Sequence, residues 1–367
     1  MVLKIIKTVF LSTKNLKPLS VLSFFAYYFS LFIFIYKEEG HVMQQRDIGI
    51  YEKVLEYISL EISQVLRKVP TEIKANVEEI RLRNGLPLNI YSMNEDYFVA
   101  NDGSITKDKN KGKLVTKQDV IKTFQLISNY SVYAFEEEIK NGFITLKGGH
   151  RVGIGGKVLY GKNGVEKIKN ISSLNIRIAR EKIGVSNKLM KYVIQYPNTI
   201  YNTLIVSPPK CGKTTILRDM IRNLSNGMSA LNFKGLKVGV IDERSELAGM
   251  YNGEAQHDLG PRVDVLDGCN KKDGTMMLLR AMSPDIIVMD EIGSAEDVEA
   301  IHEILKAGVK IIATVHGSSI EDLKSRRSLE SLIKDKIFKR YIILDNSKGI
   351  GTINDVIDGS SYTSIKV

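Results

Sequence analysis

The feature that most constrains this chain is an apolar strand, a glycine-bearing loop and an amphipathic helix in direct succession. Thr203-Leu204-Ile205-Val206 is a short apolar run that predicts a buried strand. Ser207-Pro208-Pro209-Lys210-Cys211-Gly212-Lys213-Thr214-Thr215 follows, and Ile216, Leu217, Met220, Ile221 and Leu224 then recur at helical spacing. Such a loop turns backbone N–H groups inward, adds the positive end of a helix dipole and, through Lys213, supplies one long cation. It is a cradle for phosphate groups. The first position of the pattern G-x-x-x-x-G-K-[ST] is Ser207, not glycine. Because Ser207 precedes Pro208 it is biased toward extended dihedrals, which a residue leaving a strand adopts without glycine's freedom.

Ser207 through Thr215 are therefore the expected nucleotide contacts, with ATP and Mg²⁺ as ligands and the Thr214 hydroxyl on the metal. A second element completes the site. Ile286–Met289 reads as a buried strand, and Asp290-Glu291-Ile292-Gly293 follows at its C-terminal end, where open α/β sheets bind ligands. Asp290 is expected in the Mg²⁺ shell beside Thr214, and Glu291 is expected to polarise the water that attacks the γ-phosphate. Val238–Ile241 is another strand, ending in Asp242-Glu243-Arg244-Ser245-Glu246, and a third, 309–313, leads into Thr314-Val315-His316-Gly317. Glu243 is a competing candidate for the base, and His316 is a candidate γ-phosphate sensor. Both also have a structural reading, as a capping cluster and a satisfied edge histidine.

The chain of 367 residues suggests two domains. With 43% hydrophobic residues it can bury a proper core, and two cysteines, Cys211 and Cys269, imply no disulfide framework. Lys+Arg 52 against Asp+Glu 42 gives +10, which suits an anionic partner without naming one. Ahead of the nucleotide region, residues 48–68 carry apolar positions at helical spacing, which predicts one amphipathic helix. Residues 77–83 and 88–91 read as a hairpin around Asn84-Gly85-Leu86-Pro87, residues 101–113 as a polar loop, and a helix is expected from about Thr116 through Tyr130. The glycine-rich run 142–156 reads as strands whose glycines serve turns and bulges. A second reading of it presents Arg151 on a rigid edge. A further strand over 171–179 carries Arg177 and leads to Arg180.

The fold expected is α/β: a smaller α+β N-terminal domain over 43–190, then a RecA-like P-loop domain with a parallel central sheet over 191–345, and a tail over 346–367. Residues 1–42 are a hydrophobic leader. Pro18–Tyr36 holds no charge, and 19 residues span about 28 Å as a helix, enough for one transmembrane segment. Flanking cations number four before (Lys4, Lys7, Lys14, Lys17) and three after (Lys37, Arg46, Lys53), so orientation is open. The competing reading is that translation begins at Met43.

The combined motifs resemble the stage III sporulation protein AA family. They are SPPKCGKTT with Leu217-Arg218-Asp219, Asp242 through Glu246, Arg262 through Asp267, Leu278 through Pro284, and Asp290 through Gly293. Glu79 through Arg83 and Gly148 through Gly153 belong to the same set. That family is similar to the traffic ATPases of type II and type IV secretion, whose acidic box, second carboxylate motif and histidine box would correspond to Asp242-Glu243, Asp285 through Glu291 and the segment ending in His316. The resemblance implies an ATP-hydrolysing ring, a hexamer, peripheral on the cytoplasmic face of the mother-cell membrane. It also implies membrane proteins of the mother cell to forespore channel as partners, with no nucleic acid expected. In a ring, a neighbour's guanidinium stabilises the developing charge, and Arg151, Arg177 and Arg180 are the favoured candidates beside Arg262 and Arg280. The alternatives are a nucleic-acid-acting ring ATPase and a nucleotide-gated scaffold with negligible turnover.

Overall fold

The structure, a computed structural model, describes residues 44–161 and 164–365. The leader and the Met43 start lie outside the described residues. Among the described residues no helix is long and apolar enough to cross a membrane. The chain divides into two compact units, one ending at Leu126 and one beginning at Ile127.

The first unit opens with a helix over 44–54, and a second, Leu60–Leu66, follows a break. The single helix expected over 48–68 is thus interrupted at Ser59, whose backbone is extended (φ −49°, ψ 143°). The Ser59 N–H donates to Thr123 Oγ1 at 3.0 Å and its hydroxyl to Asp119 Oδ1 at 3.0 Å, bonds that replace those of a continuing helix. Strands β1 (Val77–Arg83), β2 (Asn89–Ser92), β3 (Glu95–Val99) and β4 (Ile105–Thr106) form an antiparallel meander. The stretch expected as loop over 101–113 contains β4. Helix Lys117–Ile127 ends three residues before Tyr130, because Asn129 and Tyr130 take positive φ.

In the second unit a short helix, Glu136–Lys140, precedes β5 (Phe143–Leu146), β6 (His150–Gly161) and β7 (Gly164–Arg177), antiparallel in that order. Arg151 pairs with Thr145 on one side and Arg177 on the other, so β6 is an inner strand and Arg151 does not sit on an edge. A two-stranded ribbon, β8 (Ile194–Gln195) and β9 (Thr199–Ile200), follows helix Asn187–Val193.

The main sheet contains β10 (Thr203–Ser207), β11 (Val238–Asp242), β12 (Val263–Asp267), β13 (Ile286–Met289), β14 (Lys310–His316), β15 (Arg340–Asp345), β16 (Thr352–Asp358) and β17 (Thr363–Ser364). Their order is β12-β11-β13-β14-β10-β15-β16-β17; the first six are parallel and the last two antiparallel. Both faces are covered, as the apolar strand runs require. Ile205, Ile286, Val288, Ile312 and Ile342 pack on one face with Leu217 and Ile221 of helix Lys213–Asn226. Leu204, Val206, Ile287, Met289 and Ile311 alternate to the other, against Ile301 and Ile304 of helix Ala295–Lys306. This is the RecA-like α/β fold, with β14 inserted between β10, which leads into the Gly212 loop, and β13, which Asp290 and Glu291 follow.

Candidate active site

Strand order decides which side chains meet. In the parallel registers Ser207 lies opposite His316 and Met289 opposite Ala313, so β14 brings Thr314 and His316 between the ends of β10 and β13. The chain leaves β10 through Ser207, whose hydroxyl donates to Pro208 O at 2.9 Å. Pro209 and Lys210 are exposed, Lys210 with φ 62°, and Cys211 is buried. Gly212 caps the helix at φ 84°, a left-handed conformation suited to glycine. Lys213, Thr214 and Thr215 form the first turn. The loop is braced from outside, since Gly351 N–H donates to Cys211 O at 3.1 Å and a Cβ on Gly212 would meet Ile350 at 3.0 Å.

Five of the expected residues, Lys213, Thr214, Asp290, Glu291 and His316, form one connected set. Thr214 Oγ1 donates to Asp290 Oδ2 at 2.9 Å. Lys213 Nζ donates to the carbonyls of Ser207 and Pro208, both at 3.3 Å, and to His316 Nδ1 at 2.9 Å. His316 Nε2 lies 2.9 Å from Glu291 Oε1. Burial lowers the Lys213 pKa, an effect opposed by Asp290 and Glu291. The Glu291 N–H donates to Asp290 Oδ1 at 3.1 Å and to Thr314 Oγ1 at 2.8 Å. The Thr314 hydroxyl in turn donates to Asp290 Oδ1. A hydroxyl and a carboxylate oxygen held this close are the donor set a small hard cation such as Mg²⁺ takes, with waters completing its shell.

The remaining candidates lie elsewhere. Glu243 is exposed and paired with Lys271. Arg151 donates to Arg244 O at 3.0 Å, pairs with Glu246 and lies 3.7 Å from the Phe143 ring centroid. Arg177 reaches Glu246 at 3.9 Å. Arg180 is half-buried near His150. The Arg262 guanidinium donates to Ser225 O, and Arg280 is exposed at the end of helix Lys271–Ala281. Asp285, at the opposite end of β13 from Glu291, accepts from Lys237 N–H at 2.8 Å.

Sequence reasoning missed three participants. Thr314 carries an alternation signal, lying two positions before His316 on one strand, where side chains share a face. Arg244 donates to Glu291 Oε2 at 2.6 Å, and Arg218 donates to Leu247 O at 2.9 Å and Glu246 O at 2.6 Å. Arg218 thereby ties helix Lys213–Asn226 to the loop after β11. Nothing in spacing announces those two pairings. Asp242, the last residue of β11, accepts from the N–H groups of Glu246, Leu247 and Ala248 in that loop at 2.8–2.9 Å. Burial nonetheless pushes its pKa up to about 6.

The sequence matches the family described as Sporulation stage III, protein AA, over residues 49–362. The chain belongs to this family. The Stage III sporulation protein AA of Bacillus subtilis (strain 168) is 40% identical over 306 residues, covering 83% of this chain and 94% of that one. The Nucleoside-triphosphatase THEP1 of Methanothermobacter thermautotrophicus is 27% identical over 165 residues, covering 38% of this chain and 94% of that one. Among solved structures, the ATPase DotB of Legionella pneumophila aligns over 73% of this chain and 71% of its own, at 14% identity and a TM-score of 0.44.

Proposed function

We propose that the chain binds ATP with Mg²⁺ and hydrolyses it, as one subunit of a homo-oligomeric ring that energises the channel between mother cell and forespore from the cytoplasmic face of the mother-cell membrane. The observation that carries this reading is the Thr214–Asp290 contact of 2.9 Å, joined through Thr314 to Glu291 and through His316 to Lys213. Those groups lie close enough to share one triphosphate. The nucleoside-triphosphatase relative lends support to the enzyme class, and membership of the sporulation family lends support to the setting.

In this mechanism the loop 208–212 and the N-terminus of helix Lys213–Asn226 hold the phosphates, and the Lys213 ammonium leaves His316 for the β/γ oxygens. Thr214 and Asp290 would hold Mg²⁺, which neutralises phosphate charge when bound. Glu291 accepts the proton of the attacking water, and His316 donates toward the γ-phosphate. Arg151, Arg177 and Arg180 are proposed to act across a subunit boundary, with Glu243 kept as a competing base. Membrane proteins of the channel are the proposed partners, and no nucleic acid is.

Phosphate release from the purified chain with Mg-ATP, at concentrations that form the oligomer, tests the reading. Turnover abolished by Lys213→Ala and by Glu291→Gln, with nucleotide binding lost in the first and kept in the second, is the expected result. A wild-type chain that binds ATP without releasing phosphate overturns the enzyme reading and leaves a nucleotide-gated scaffold.

A further inference from the structure

Glu291 is gripped from two sides. Oε1 meets His316 Nε2 at 2.9 Å and Oε2 accepts from Arg244 Nη1 at 2.6 Å. Its backbone, at φ 52°, takes the left-handed conformation that residues other than glycine rarely adopt, and its N–H is fixed by Thr314 and Asp290. The carboxylate therefore cannot drift far. Arg244 differs: its main chain is pinned, with the carbonyl accepting from Arg151 Nη1 and neighbouring N–H groups folded onto Asp242, but its side chain is 62% exposed against 25% for Glu291. The guanidinium can exchange Glu291 for water at little cost, because an exposed ion pair is weak.

We propose that Arg244 is a latch on Glu291. While closed it pairs with the carboxylate and occupies an oxygen that a water would otherwise approach. Turnover proceeds in the fraction of chains whose latch is open. Arg244 is a positioning residue that acts through Glu291 and touches no substrate. This inference rests on the reading of Glu291 as the group that takes the proton from water.

The test compares wild type, Arg244→Ala and Arg244→Lys as full chains in steady-state phosphate release. Arg244→Ala raises kcat about two- to fivefold, the range an exposed ion pair supports, with KM changed less than twofold. Arg244→Lys, which keeps the charge, restores a rate near that of wild type. A kcat that falls or stays level in Arg244→Ala while wild type is active overturns the latch and leaves the enzyme reading intact. Silence in both chains overturns the two together. A second readout needs no turnover: in the nucleotide-free protein, the Tm shifts of Arg244→Ala and Glu291→Gln are non-additive when combined. Additive shifts mean that the pair is not formed, and the proposal fails.

Discussion

The Lys213 ammonium lies 2.9 Å from Nδ1 of His316, at the end of the strand that pairs with β10. An ammonium has only protons to give, so Nδ1 is the acceptor and Nε2 carries the hydrogen that faces Glu291. His316 thus joins the cation proposed to grip phosphate to the carboxylate proposed to address water. On this geometry His316→Ala lowers kcat about 10- to 100-fold while the equilibrium affinity for ATP changes less than threefold, since the lysine and the helix N-terminus remain. Single-turnover rates and nucleotide titration separate the two, and a loss confined to affinity would contradict the assignment.

Thr314→Val is close to isosteric but removes a hydroxyl that donates to Asp290 and accepts from the Glu291 N–H. The Glu291 N–H keeps its bond to Asp290 Oδ1, but Asp290 loses a donor, and a lost hydrogen bond to a carboxylate costs about 1.5–3 kcal/mol in stability, read as a lower denaturant midpoint at unchanged m-value. With Asp290 less restrained, the Mg²⁺ concentration for half-maximal turnover rises. An unchanged Mg²⁺ titration would count against the role of Asp290.

His150 is buried, with Nδ1 accepting the Ala179 N–H at 3.1 Å, and desolvation, helped by the nearby His257 and Arg180, drops its pKa to about 4. Protonation is easier in the unfolded chain, whose imidazole titrates near 6.5, so unfolding takes up a proton between those values. This group therefore costs stability as pH falls from about 6.5 to about 4, by up to about 3 kcal/mol. Asp242 acts with opposite sign, because its folded-state pKa of about 6 lies above the ordinary carboxylate value and proton uptake favours the fold as pH falls through 6. His150→Asn keeps an acceptor for Ala179 and removes the first contribution. Melting temperatures from pH 7 to 4.5 should show a shallower acid decline in the variant than in wild type; parallel declines would refute the attribution.

Gly149 has φ +74°, and a Cβ there would lie 2.7 Å from Nε2 of the buried His257. Gly149→Ala combines backbone strain with a clash, for about 1–3 kcal/mol of lost stability by chemical denaturation. A neutral result would mean that His257 moves freely.

How much of this was written in the sequence depends on the distance over which each contact acts. Strands β10 and β13, the turn at Gly212 and the helix after it are local patterns, and they were legible. So was the placement of Asp290 and Glu291, since a buried strand can deliver polar residues only at its ends. The break at Ser59 was not legible, because the groups that take over its hydrogen bonds, Asp119 and Thr123, come 60 and 64 residues later. Arg151 shows the same limit. The glycine-rich run suggested an edge, whereas β7 pairs with its far side, and its ion partner Glu246 is 95 residues away. Arg244 stood in a recognised motif, yet only the side-by-side placement of β11 and β13 brings it to Glu291.

The bond from Gly351 to the carbonyl of Cys211 joins positions about 140 residues apart across the hairpin of β15 and β16. A chain emerging from the ribosome finishes the loop at Cys211 and Gly212 long before it makes this support. Until residues 346–351 are synthesised and folded back, the loop lacks both the Gly351 bond to Cys211 and the Ile350 side chain beside Gly212, so translation completes the loop well before the segment that braces it.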